Sequence, residues 1–412
     1  MLFYLGALVV CGAVSCVRAE IIDNRYIPYY TYNNTWLNSR SSAAQVAPFY
    51  IQASEGYGLM QNSVPLNEIY GVYDQQGLSS IAYAVCGSNP LRSDLQDIGP
   101  IPWQVNQKLT GGGVEFMGEL ALFDSGFLIG AWISALHVHM RTEYQLSSAF
   151  KRAIKPSQTL IDELDEERRA IHDCFGINSG QFSQGGVSDL DLWVGYHHAW
   201  WYTLLMKRIE LYTRIGTWAP TAPTMPTDNP GAIPLGGNGH WGFYGLAEGI
   251  FELKDDIVFT LWLQVAKRLA RHDIMRLSVA GEPQPFGGVE GLVMIDPGVT
   301  VGVSPALYLG GIGNNLGFMV SYSVVMHQQD CWSDPEPDIP VLSVDLNSIM
   351  SRTSWRAEYW SVQFIYDCAA GQPDGTPAPL IFFVWDIPSS ALGVARLVSK
   401  TNRISLGITY TW

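Results

Sequence analysis

Charge is what this chain has least of. Only 15% of its 412 residues are charged, whereas a soluble domain carries about 25%. Basic residues are scarcer still: 24 Lys and Arg face 38 Asp and Glu, for a net charge of −14. Nucleic acid is therefore excluded as a partner, because its backbone demands a basic footprint. Long apolar runs are also missing. Beyond the amino terminus no stretch reaches the 18 apolar residues a spanning helix needs. The best candidate, Phe127 to Met140, contains His137 and His139. Cysteine is sparse, and the four outside the first 19 residues, Cys86, Cys174, Cys331 and Cys368, lack metal-ligand spacing. Their pairing stays open. No Gly-x-Ser-x-Gly nucleophile elbow occurs.

Aromatic residues are abundant: 14 Trp, 20 Tyr and 16 Phe, within a chain 47% hydrophobic. Low charge, many aromatics and no spanning helix together suit a chain whose apolar residues are spread over alternating strands. Gly at 41 and Pro at 23 suit many turns. The first 19 residues read as an export signal, with an apolar run from Leu2 to Val17 and Val17-Arg18-Ala19 before Glu20. Residues 20–44 are rich in Tyr and Asn without a period, and read as an irregular periplasmic or lumenal segment.

The clearest pattern is the last. Ile404, Leu406, Ile408, Tyr410 and Trp412 alternate with Ser405, Gly407, Thr409 and Thr411, so each set takes one face of a strand. This closely resembles the final strand of bacterial outer-membrane β-barrels. The resemblance implies that Tyr410 and Trp412 form an assembly signal read by the barrel-assembly machinery, and that lipids of the outer membrane surround the chain.

Similar alternation marks the rest of residues 45–412. Strands are expected over Gln45–Gly56, Val114–Phe123, Phe127–Arg141, Asp189–Tyr202, Lys207–Trp218, His240–Leu253, Ile257–Lys267, Val299–Leu309, Leu316–His327, Ser354–Tyr366, Leu380–Ile387 and Arg403–Trp412. The fold class is all-β: a transmembrane antiparallel β-barrel of about 12 strands. Connections alternate long and short, as external loops and periplasmic turns do in such barrels. Residues 58–110 are either a plug or an external insertion, with a helix over Asp74–Val85. Residues 145–186 form an external loop carrying an amphipathic helix that starts near Ser157 or Thr159 and runs to Phe175. Leu160, Leu164, Ile171 and Phe175 make its stripe.

Ile233 to Gly242, with Tyr244-Gly245, resembles uncharacterised porin-like outer-membrane proteins of host-associated bacteria, and implies no catalytic residues.

If the apolar faces meet lipid, Glu115, Glu119, Asp191, His197, Arg208, Glu210, Arg214, Glu248 and Glu252 line the pore. Such rings select ions, or they pair off and fill a narrow barrel. The expected function is passive passage of small solutes or cations. The alternatives are a sealed structural or adhesin-like barrel that binds through its loops, and a membrane-embedded hydrolase. On one strand His137 and His139 share a face, with His197 on the next, but no Cys or carboxylate completes a metal set. Neither cofactor nor metal is expected.

Overall fold

The computed structural model describes residues 23–28, 42–87, 99–122, 125–201, 206–254, 256–312, 315–339, 343–368 and 378–412. The expected export signal, residues 1–19, lies outside them.

Alternating apolar and polar residues place twelve long strands in one ring. They are β1 (Ala43–Ala53), β2 (Pro102–Leu122), β3 (Phe127–Leu146), β4 (Leu190–Trp201), β5 (Arg208–Ala219) and β6 (Gly242–Lys254). The others are β7 (Ile257–Arg268), β8 (Val299–Ile312), β9 (Leu316–His327), β10 (Trp355–Asp367), β11 (Pro379–Ser389) and β12 (Asn402–Thr411). Each pairs antiparallel with its neighbour in sequence, and β1 closes the ring on β12, with Ala43 opposite Thr411 and Gln52 opposite Asn402. Every backbone ladder thus finds a partner, as a hydrocarbon solvent requires.

Proline leaves a trace in two ladders. The β1–β12 register passes from Val46 to Phe49 over Ala47 and Pro48. The β8–β9 register likewise jumps from Val303 to Ala306 over Ser304 and Pro305. A residue without an N–H cannot donate to a ladder.

The outer face is apolar. Ile404, Leu406, Ile408, Tyr410 and Trp412 are all exposed, while Arg403, Ser405, Thr409 and Thr411 are buried inside. Exposed Leu261, Leu263 and Val265 repeat the pattern on β7. Aromatic rings collect at two levels. Phe127, Trp201, Tyr366, Tyr410 and Trp412 sit towards the short turns, and Tyr50, Trp241, Phe243 and Trp385 towards the long loops. Two such girdles around an apolar band mark a membrane-spanning barrel.

On that orientation the connections β1–β2, β3–β4, β5–β6, β7–β8, β9–β10 and β11–β12 are external. Strands β2 and β3 run 21 and 20 residues, about 70 Å at strand rise. A membrane crossing takes roughly 9–11 residues, so their outer halves stand clear of the bilayer. There the polarity inverts. Leu136, Val138 and Met140 point inward and are buried, while His137 and Arg141 are exposed. Sequence alternation alone assigned that apolar face to lipid. It packs instead on the apolar contents of the mouth.

A cap stands on this extension. Asp74 caps α1 (Gln75–Cys86), its carboxylate accepting from the N–H of Gln76 and of Gly77 at 3.3 Å. Ser157 caps α3 (Gln158–Cys174) through the Leu160 N–H at 3.2 Å, after the short α2 (Ser148–Ile154). Leu78, Ile81 and Ala82 of α1 pack with Leu164, Ile171 and Phe175 and with Trp103 and Leu146 of the strands. Cys86 and Cys174 join the two helices by a disulfide. A separate external sheet pairs residues 271–277 with 289–296 and 331–337. None of these three strands is among those expected from the sequence.

Candidate functional site

Side-chain direction follows from strand period, and it carries all nine expected pore-lining residues to the inside of the barrel. What they do there is pair. At the periplasmic end His197 Nε2 lies 2.5 Å from Glu210 Oε2, Arg208 Nη2 is 2.7 Å from Glu210 Oε1, and Arg208 Nε is 3.2 Å from Glu252. Lys207 approaches Glu252 at 3.7 Å.

Aromatic donors serve the middle of the lumen. Glu119 accepts from Trp193 Nε1 at 3.1 Å and from Tyr212 Oη at 2.8 Å. Asp191 accepts from Tyr244 Oη at 3.0 Å. The Arg214 guanidinium lies between two of these rings, 4.9 Å from Trp193 and 5.2 Å from Tyr244, a cation–π arrangement in a desolvated place. Glu248 is buried nearby on β6.

Three lumenal groups escaped the sequence reading. Arg403 on β12 reaches over β1 to Glu115 on β2, 2.7 Å away. Arg268 binds Asp189 at 2.8 Å and also Asp23 of the amino-terminal segment. Asp386 accepts from Ser361 Oγ at 2.6 Å. A signal existed for two of them: Arg268 follows Gln264 and Ala266 at even spacing, and Arg403 precedes Ser405, each on the face opposite a clean apolar row.

The mouth is closed by apolar packing. Tyr26 and Ile27 join Leu66 and Ile69 of the 66–70 turn, Ile233 and Leu235 of the β5–β6 loop, and Leu397 and Val398 before β12. Backbone bonds fix the amino-terminal segment there: Arg403 Nη1 donates to Pro28 O at 3.0 Å, and Thr401 Oγ1 to Tyr26 O at 2.6 Å. Glu358 holds the adjoining loop by accepting from the N–H of Leu392, Val394 and Ala395 at 2.9, 2.6 and 2.9 Å.

Histidines do not gather. His139 pairs with Thr110 in the outer half of β3, while His197 lies beside Gly126 at the periplasmic turn. No group of three His, Cys, Asp or Glu able to hold a metal occurs among the described residues. His198 faces outward between Tyr196 and Trp200, ring centroids 6.3 and 4.5 Å away. It belongs to the periplasmic aromatic girdle.

A closed ring of twelve antiparallel strands, apolar outside and polar within, defines the class: a transmembrane β-barrel of the bacterial outer membrane. The solved structures similar to it have little sequence in common with it. An outer-membrane channel from Pseudomonas putida F1 is 10% identical over 90% of this chain and 96% of its own, with a TM-score of 0.47. A mutant of TodX, a monoaromatic hydrocarbon channel, is 9% identical over 95% and 98%, with a TM-score of 0.34. A FadL homologue from Pseudomonas aeruginosa is 8% identical over 90% of each chain, with a TM-score of 0.30. No family model and no curated protein matches the chain.

Proposed function

We propose that this barrel is a gated channel that passes small neutral solutes or cations passively once its mouth opens. The observation that carries the reading is the inner wall. Acids and arginines line the barrel from the His197–Glu210 pair at the periplasmic turn to the Arg268–Asp189 pair at the mouth. Placing charge in a permanently dry core costs several kcal/mol per ion, and apolar packing of the same volume is often as stable. A wall that keeps its charges fits a lumen that is hydrated in another conformation. Facing acids (Glu115, Glu119, Asp191, Glu210, Glu248, Glu252, Asp386) outnumber facing arginines (Arg208, Arg214, Arg268, Arg403). The open lumen therefore carries a negative field and concentrates cations.

The sealed barrel that binds partners through its loops has a specific observation in its favour as well: Glu115, Glu119, Asp191 and Arg214 are almost entirely enclosed. Planar-bilayer recordings separate the two. Steps of conductance with a cation-selective reversal potential support the channel. Folded protein that never conducts supports the sealed barrel, and anion preference overturns the charge argument.

A further inference from the structure

The segment from Asp23 to Pro28 sits in the mouth as a ligand sits in a site. It joins no strand ladder among the described residues. Its turn is made from within: Asn24 Oδ1 accepts from the N–H of Tyr26 at 2.8 Å and of Ile27 at 3.1 Å. Groups from several strands and loops then hold it. Arg268 of β7 binds Asp23, and Asn24 Nδ2 donates to Pro234 O of the β5–β6 loop at 2.9 Å. Arg25 donates to Arg352 O and Thr353 O, between β9 and β10, at 3.1 and 3.0 Å. Before β12, Ser399 Oγ donates to Arg25 O at 2.9 Å and Thr401 Oγ1 to Tyr26 O at 2.6 Å. Arg403 of β12 reaches Pro28 O at 3.0 Å. Tyr26 and Ile27, both buried, are the apolar anchors.

What holds the segment keeps other partners when it leaves. Arg268 still donates to Asp189 at 2.8 Å and to His240 O at 2.7 Å. Arg403 still meets Glu115 at 2.7 Å. Thr401 Oγ1 and Ser399 Oγ lie 2.6 Å apart and can bond each other. Release therefore strands neither arginine, and a stranded buried charge is what would forbid it. Nor is the segment packed on every side, since a cavity of about 200 Å³ borders Asp23, Asn24, Arg25 and Tyr26. The turn made by Asn24 depends on no barrel residue, so the segment can return already shaped.

We propose that the mouth is a peptide-binding site and that residues 23–28 are its tethered occupant, a plug that leaves and returns while the barrel stays folded. The ligand class is a short peptide with an acid at its first place and an aromatic–aliphatic pair three places on. Tethering keeps the site filled, because an attached ligand acts at a roughly millimolar effective concentration. The proposal deepens the channel reading by naming its gate and rests on that reading only for what release accomplishes. Binding itself requires no conduction.

Isothermal titration tests this with a capped synthetic peptide of Asp23 to Pro28. Its partner is the full chain carrying Asp23→Ala, Tyr26→Ala and Ile27→Ala, whose own segment no longer fits. Saturable binding is expected, and the unsubstituted chain, its site filled, should bind at least about tenfold more weakly. A peptide carrying Asp23→Asn should also bind at least about tenfold more weakly, having lost a buried charge pair. No saturation by about 1 mM, the concentration scale a tether supplies, would overturn the proposal. Equal binding of a scrambled or Asp23→Asn peptide would do the same. Hydrogen exchange on the unsubstituted chain keeps the test open if the triple variant fails to fold. The amides of Tyr26 and Ile27 should exchange by local opening, at least about tenfold faster than the ladder amides of β1 and β12. Exchange as slow as the ladders would make the segment part of the barrel core and overturn its release. A barrel that binds the peptide yet never conducts supports the peptide site and overturns the channel reading alone.

Discussion

Arg403 and Glu115 meet 2.7 Å apart although their strands are not neighbours. Strand β1 runs between them, and the pair bridges its inner face at the level of Ala47 and Ile51. Both side chains are almost wholly enclosed. Removing one partner leaves a buried charge uncompensated, at a cost of roughly 3–5 kcal/mol, whereas replacing both by apolar groups is often neutral. Glu115→Gln should therefore lower the temperature at which the compact form on a gel converts to the heat-denatured one. The double variant Glu115→Leu with Arg403→Met should recover most of the loss. A double variant as fragile as the single would show that the pair is not what the charge costs.

Selectivity makes a separate demand on the same strand. Glu115 and Glu119 lie four apart on β2 and share its inner face, opposite exposed Phe116. If the lumen conducts, Glu115→Gln with Glu119→Gln should shift the reversal potential toward zero. Glu166→Gln with Glu167→Gln, on external α3, should shift it less. Equal shifts would mean that selectivity is set at the cap.

Much of this architecture was legible because strand period writes itself directly into the sequence. All twelve barrel strands were legible, because one rule, apolar to lipid, governs the membrane band. The rule failed on β3 where the strand leaves the bilayer. Leu136, Val138 and Met140 look like a lipid face, yet they pack inside among the mouth residues. Nothing local records that change of solvent. The sheet over 271–277, 289–296 and 331–337 was invisible for another reason: its third strand is distant in sequence, and Pro335 and Pro337 within it argue against a strand. The seat of Asp23 to Pro28 in the mouth depends on Arg268 and Arg403, neither of which announces its partner.

Reduction should loosen the cap and spare the barrel. Cys86 and Cys174 are 88 residues apart, and closing a loop of that length stabilises by about 4–5 kcal/mol in the chain-entropy account. That constraint acts on α1 and α3, which pack on each other and on the outer ends of β2 and β3. With reductant, or in Cys86→Ser with Cys174→Ser, limited proteolysis should cut faster within 58–101 and 147–187. The heat-modifiable barrel should remain. Loss of the compact gel form at the same reductant concentration would mean that barrel and cap unfold as one unit.

Acid should act on the same cap through His172. Burial pushes its pKa down to about 3, and the neighbouring Arg168 and Arg276 charges push the same way. Its ring sits 2.8 Å from Tyr73 Oη and 3.4 Å from Arg168 Nη1. Arginine can only donate, so Nδ1 is the acceptor and Nε2 carries the proton given to Tyr73. Protonating Nδ1 would destroy the Arg168 contact and bury a second cation beside the first. The unfolded ring has a pKa near 6.5, so between about 6.5 and 3 the unfolded cap binds a proton that the folded cap refuses. Stability is then fully present above pH 6.5 and falls steadily as pH drops toward 3. Hydrogen exchange in α1 and α3 should accelerate across that window at constant ionic strength. His172→Gln, which has no titration there, should flatten the dependence even where it lowers stability at neutral pH. An equally steep acid response in His172→Gln would move the sensitivity to other groups of the cap.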